Sequence, residues 1–208
     1  MSVDPHALRA RRLTGPTATA APRASSNGWW GMMLLIATEA TLFAVVIASY
    51  YYLSWRSDLG WPQGDIAEPK LERPIAMTVV LFASSMPMFV AETGIRRGKQ
   101  TRLRIGLGAT FLLGVAFLAL QGWEYSVKVK EFTPETNAYA SLFYVITGLH
   151  GSHVLAGLLV LAWVQVRAWR GAYGVERHLG VQMGAVYWHF VDAVWAVIFP
   201  TIYVYPHL

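Results

Sequence analysis

The chain of 208 residues contains no cysteine. That absence excludes disulfide cross-links, thiolate-ligated metal sites and a thiol nucleophile. Charge is also scarce. Asp, Glu, Lys and Arg make up 14% of the residues, against about 25% in an average soluble domain. No continuous basic stripe exists, although the net charge is +5. The basic residues sit in short segments beside apolar runs, so membrane topology accounts for them and no nucleic-acid partner is expected. Residues 1–27 carry Arg9, Arg11, Arg12 and Arg23 but no apolar core of the kind a cleavable signal needs. Rich in Ala, Pro, Ser and Thr, this stretch reads as a flexible cytoplasmic tail. No internal repeat is visible.

Hydrophobic residues, 55% of the chain, are concentrated in five runs at about 29–53, 74–94, 105–126, 141–166 and 182–205. Each is long enough to cross a hydrocarbon core of about 30 Å at about 1.5 Å per residue. The expectation is an all-α, polytopic membrane protein, a bundle of five transmembrane helices over residues 28–208. Lys and Arg decide its orientation. Twelve fall in the tail, the 95–104 loop and the 167–181 loop, and five fall on the other side. The N-terminus is therefore expected in the cytoplasm and the C-terminus outside. Small residues four apart suggest close helix contacts in three places: Ala40, Ala44 and Ala48; Gly106, Thr110 and Gly114; Gly148, Ser152 and Ala156. Pro87 and Pro200 are candidate kink positions.

Polar residues inside these runs are the candidates for function. Glu39 lies about 15 Å deep in the first run, where a lone carboxylate would cost at least about 2.5–3.5 kcal/mol. It must be protonated, paired or reached by water. His150 and His153 share a face of the fourth run, and His189 and Asp192 repeat that spacing on the fifth. The depths converge, so these five are expected in one buried polar layer. Hydrogen bonding between helices satisfies such groups without a cofactor. Ligation of a metal or haem, with His150 facing His189, is the competing reading. Trp123, Glu124 and Tyr125 read as an interfacial belt, as do Trp29, Trp30, Tyr50, Tyr51, Tyr52 and Trp55 at the ends of the first run. Glu92 is placed to reach Arg96.

Three segments carry a resemblance. They are GMMLLIATEATLF in the first run, QGWEYSVKVKEFTPETNAYASLFYVITGLHGSHVLAG across the third and fourth, and RHLGVQMGAVYWHFVDAVWAVIFPTIYV in the fifth. Together they resemble subunit III of the haem-copper oxidases, the cytochrome c oxidase subunit III family in its short five-helix bacterial form. The resemblance implies that Glu39 matches the family's intramembrane carboxylate, associated with lipid binding and with support of proton uptake. Trp123, Glu124 and Tyr125 match its WEY segment, and His150 and His153 its HGxH segment. Tyr187, Trp188, His189, Asp192 and Trp195 match its YWHFVDxxW segment.

The same resemblance implies a non-catalytic subunit of a proton-pumping oxidase of aa3 or caa3 type in a bacterial plasma membrane. It would have no haem, copper or other metal on this chain and no catalytic residue. The haem and copper would sit on partner subunits, and the Cys-ligated dinuclear copper centre of some oxidase subunits is excluded here. The implied partners are subunit I by direct packing, subunit II, and bound phospholipid. The longer family form has seven helices, and this chain lacks the first two, which form one arm of the lipid cleft. Another chain or an extension of subunit I would supply that arm. Subunit III of a quinol oxidase and the accessory protein of nitric oxide reductase fit the same strings. A stand-alone proton-coupled carrier built on Glu39 and the His pairs, and a bis-His haem carrier, are readings from other classes.

Overall fold

A computed structural model describes residues 27–58, 60–64 and 66–208. Of the expected tail, residues 1–27, all but Asn27 lie outside the described residues, and Asn27 opens the first helix. Five helices follow in order: α1 Asn27–Trp55, α2 Glu72–Arg96, α3 Gln100–Lys128, α4 Ala138–Trp169 and α5 Leu179–Phe199. All five are long and apolar enough to cross a membrane. The architecture is the expected five-helix membrane bundle. Helices α1 to α4 run past their apolar runs at both ends, because an unpaired N–H or C=O in hydrocarbon costs several kcal/mol and the ladder continues until water can take over.

The turns that reverse the chain are legible in single residues. After α2, Gly98 adopts φ +70°, and the amides of Gly98 and Lys99 bond back to the carbonyls of Ile95 (3.0 Å) and Gly94 (2.8 Å). This is a Schellman cap, which needs a left-handed residue that glycine adopts without steric penalty. Gly171 repeats it after α4, with Ala172 N–H on the Arg167 carbonyl at 3.0 Å. The start of α4 is capped by Asn137, whose side chain accepts from Ala140 N–H at 2.9 Å.

Helices α2 to α5 close into a ring, each packed on the next and α5 back on α2. The α2–α3 seam is the tightest. A Cβ at Gly106 would lie 2.5 Å from the Pro87 carbonyl oxygen and 2.8 Å from Ala91 Cβ, so only glycine lets the backbones meet there. Thr110, one turn on, donates to the Ser84 carbonyl across the same seam at 3.2 Å. Inside the ring the fully buried Trp188 ring lies in a slot floored by Gly114 and Gly157. Its indole N–H donates to Ser84 Oγ at 2.9 Å. Trp195, two turns on, donates to Thr78 Oγ1 at 2.9 Å. The two tryptophans thus bury their rings while placing each N–H on a hydroxyl of α2.

Helix α1 stands outside the ring, against α4 and α5. Only 6% of its most apolar window is buried, against 33–50% for the other four helices. Its buried residues, Phe43, Tyr50 and Ser54, all lie in its second half. That half is clamped by the last residues of the chain, where α5 widens into a π-helical turn Pro200–Val204 and a 3-10 turn Tyr205–His207. Tyr51 OH pairs with Thr201 Oγ1, and Ser54 Oγ with Tyr205 OH, both at 3.0 Å. Pro200 therefore marks a change of helical pitch, whereas Pro87 sits within an uninterrupted α2. Of the three small-residue stripes, Gly106, Thr110 and Gly114 form a buried seam. Ala40 and Ala44 line a pocket between α1 and α5, Ser152 and Ala156 line one between α1 and α4, and Ala48 is exposed.

Candidate functional site

The intramembrane polar residues do not form one layer. The ring sorts them into three separate environments. The first joins α1 to α4. Glu39 Oε2 lies 2.9 Å from His153 Nε2, and His153 Nδ1 lies 2.8 Å from the Leu149 carbonyl. A carbonyl only accepts, so Nδ1 must carry a proton. Nε2 then either carries a second proton, donated to a Glu39 carboxylate, or accepts one from a Glu39 carboxyl. The two residues thus hold one proton between them and stay neutral as a pair in either placement. Their side chains are 28% and 12% exposed, and they border a pocket of about 380 Å³. Its walls are mostly apolar: Met32, Leu35, Ala156 and Val160, with Tyr187 at its back.

The second environment joins α5 to α2. Ser85 Oγ donates to Asp192 Oδ2 and sits 3.4 Å from His189 Nδ1, while His189 Nδ1 and Asp192 Oδ2 are 3.7 Å apart. The expected His189–Asp192 pairing is therefore bridged by Ser85. Asp192 is buried, whereas the His189 side chain is 43% exposed on the outer face of the ring.

The third is His150 alone. It is fully buried among Trp195 (5.0 Å between ring centroids), Phe117 (5.6 Å) and Phe43 (6.5 Å). Neither ring nitrogen has a hydrogen-bond partner among the described residues. The facing of His150 and His189 that a bis-His haem needs is not formed, since one is caged in aromatic rings and the other lies on the outer face beside Ser85. Among the described residues, no three His, Cys, Asp or Glu side chains converge as a metal ion would require.

The WEY segment divides as well. Trp123 is exposed, as an interfacial anchor should be. Glu124 is not part of such a belt: its side chain is 2% exposed and receives Arg73 Nη1 at 3.1 Å. The Arg73 guanidinium also lies 5.3 Å from the Trp123 ring. Tyr125 OH pairs with Thr147 Oγ1 at 2.7 Å, tying α3 to α4. Of the YWHFVDxxW residues, Tyr187 backs the Glu39 pocket and lies near the His153 carbonyl at 3.4 Å, while Trp188 and Trp195 fill the ring.

Two residues that matter were not among the sequence candidates. Ser85 stands beside Ser84 in an apolar run, and a serine pair there was the available signal. Arg73 was counted only as a loop charge. At the other end of the bundle, Arg167 stacks on Trp163 at 4.8 Å and on Tyr173 at 5.7 Å. Burial pushes the Tyr173 hydroxyl above its ordinary value, against the opposing pull of Arg167.

Comparison with known proteins places the chain in a family. Residues 19–207 match the family model described as cytochrome c oxidase subunit III. A cytochrome c oxidase subunit 3 of Synechocystis sp. is 39% identical over 154 residues, covering 73% of this chain and 65% of the relative. One from Thermostichus vulcanus is 33% identical over 164 residues, covering 78% and 80%. A probable cytochrome c oxidase subunit 3 of Nocardia farcinica is 34% identical over 162 residues, covering 77% and 79%. The matched part of the chain spans from about half to four fifths of such relatives, 52% in the case of Pylaiella littoralis. The chain belongs to the cytochrome c oxidase subunit III family.

Proposed function

We propose that the chain is the non-catalytic third subunit of a proton-pumping cytochrome c oxidase of aa3 or caa3 type. In this reading it packs on subunit I, which with subunit II holds the haem and copper, and it lies in a bacterial plasma membrane with its N-terminus in the cytoplasm. It holds phospholipid against the complex and supports proton uptake and endurance during turnover.

The observation that carries this reading is the Glu39–His153 pair at the edge of an apolar pocket of about 380 Å³. A pocket with apolar walls between α1 and α4, open to the membrane, suits an acyl chain. The pair at its edge can move one proton between two atoms 2.9 Å apart without placing net charge in lipid, where an isolated ion is expensive. Such a pair tolerates an acyl neighbour and still exchanges protons. Among the described residues no three His, Cys, Asp or Glu converge as the ligands of a redox site would.

Purification of the native complex through a tag on this chain tests the reading. The expected result is co-purification of a haem- and copper-bearing subunit I and a subunit II with copper ligands, together with phospholipid. A subunit II without copper ligands would move the chain to a quinol oxidase. A preparation without haem or copper would end the oxidase reading.

A further inference from the structure

The pair that joins α1 to α4 leaves one acceptor over. Glu39 Oε2 meets His153 Nε2 at 2.9 Å, while Glu39 Oε1 makes no hydrogen bond among the described residues. The Glu39 side chain lines the α1–α4 pocket and is 28% exposed. His153 Nδ1 is committed to the Leu149 carbonyl, so the shared proton lies on Nε2 or on Oε2. Oε1 is an acceptor in either placement, and its partner must be a donor. The rest of the pocket restricts what that donor is. Walls of Met32, Leu35, Ala156 and Val160 disfavour a charged head. Tyr187, only 7% exposed, closes the back with an aromatic ring. The volume, about 380 Å³, lies in the range of about 300–1,000 Å³ typical of small-molecule sites. Glu39 is about 15 Å deep, where a phospholipid brings only methylene groups because its phosphate stays at the interface. An uncharged hydroxyl on an aromatic ring with an apolar tail meets every one of these demands, and a hydroquinone of the membrane pool is the molecule with that chemistry.

We infer that the α1–α4 pocket binds a membrane hydroquinone, with its ring against Tyr187 and one hydroxyl donated to Glu39 Oε1. The site thereby tells the reduced carrier from the oxidised one. A quinone carries carbonyl oxygens, which only accept, so it gains no bond from Oε1. Binding involves no electron transfer, and the hydroxyl keeps its proton. Only the placement of this pocket in an oxidase rests on the function proposed above.

Photolabelling of the native complex without oxygen tests this. The probe is a benzoquinol with a diazirine on the first carbon of a decyl tail, used in its reduced and in its oxidised form. Label is read on the peptides of α1 and α4. The reduced probe should reach half-maximal labelling at a concentration about threefold to tenfold lower than the oxidised one, the worth of one hydrogen bond. Glu39→Leu should abolish that difference, while Glu39→Gln, which keeps Oε1 as an acceptor, should retain it. Should Glu39→Leu fail to assemble, the two forms compared in the parent complex still decide. Absence of label on both peptides overturns the inference. So does equal labelling by the two forms, or displacement by phosphatidylglycerol as readily as by unlabelled decyl benzoquinol; either result leaves an acyl-chain site and the proposed function intact. Selective labelling of a complex that lacks haem and copper would uphold the hydroquinone site while ending the oxidase reading.

Discussion

Replacing Glu39 by alanine or by glutamine separates its structural part from its proton part. His153 Nδ1 is committed to the Leu149 carbonyl at 2.8 Å, so the ring cannot turn to find another partner for Nε2. Alanine therefore strands Nε2, and the lost bond is worth about 1.5–3 kcal/mol if one member is charged. Glutamine keeps the bond, because its amide N–H donates to a neutral Nε2, and should be destabilising by less than about 1 kcal/mol. It cannot release or accept the shared proton. The expected result for Glu39→Gln is parental thermal stability and lipid content in the purified complex, with fewer turnovers before inactivation. Glu39→Ala should lose stability and lipid as well, while still assembling. The assays are thermal dissociation of this subunit from the complex, lipid phosphorus per complex, and oxygen consumption followed to exhaustion. Parental endurance in Glu39→Gln would refute the proton role, and parental stability in Glu39→Ala would refute the energetic worth of the bond.

The Trp188 slot gives a second test. In Gly114→Ala the new Cβ would lie 2.5 Å from Trp188 Cη2 and 2.8 Å from Leu158 Cδ2, both in the packed interior, so a loss of about 1–3 kcal/mol is expected in detergent unfolding. Gly122→Ala, with nothing within 4 Å of the new Cβ, is the neutral control. Arg73→Ala should destabilise by about 1–3 kcal/mol, discounted because Arg73 is 37% exposed, by leaving the Glu124 carboxylate unpaired. Adding Glu124→Gln should restore much of that loss in a double-mutant cycle of thermal stability. Tyr173 is favoured in its neutral form, so its contribution to the loop after α4 is complete below about pH 10 and is lost as pH rises through the raised folded value. Protease resistance of that loop should fall at high pH in the parent, and Tyr173→Phe should remove that part of the fall.

The five spans were legible because hydropathy over about 20 residues reports directly on a membrane crossing. The grouping of the site was not. His150 and His153 are three apart, which places them on broadly the same side of α4. The roughly 60° between them nevertheless sends one into the aromatic core and the other to α1. The Ala40 stripe looked like a closed seam from spacing alone, yet Ala40 and Ala44 border an open pocket against α5, and how closely α1 is covered depends on helices more than a hundred residues later. Glu124 read as interfacial from its aromatic neighbours, and only Arg73, 51 residues earlier, explains its burial. The Glu39–His153 bond spans 114 residues. Local pattern gave each side chain its place along a helix but carried no information on such pairings.

The loosely held first helix sets an order on biogenesis. Tyr51 meets Thr201, its clamp, only after another 150 residues have been made. At about 5–20 residues per second, that leaves the Tyr50–Ser54 segment of α1 unmatched in the bilayer for roughly 8–30 s, and Glu39 without His153, 114 residues on, for roughly 6–23 s. During that interval its carboxyl group must be kept neutral or sheltered by the insertion machinery. Residues 200–208 then act as a latch, so a nascent chain interrupted just before Pro200 would leave the second half of the first helix unclamped beside an otherwise finished ring.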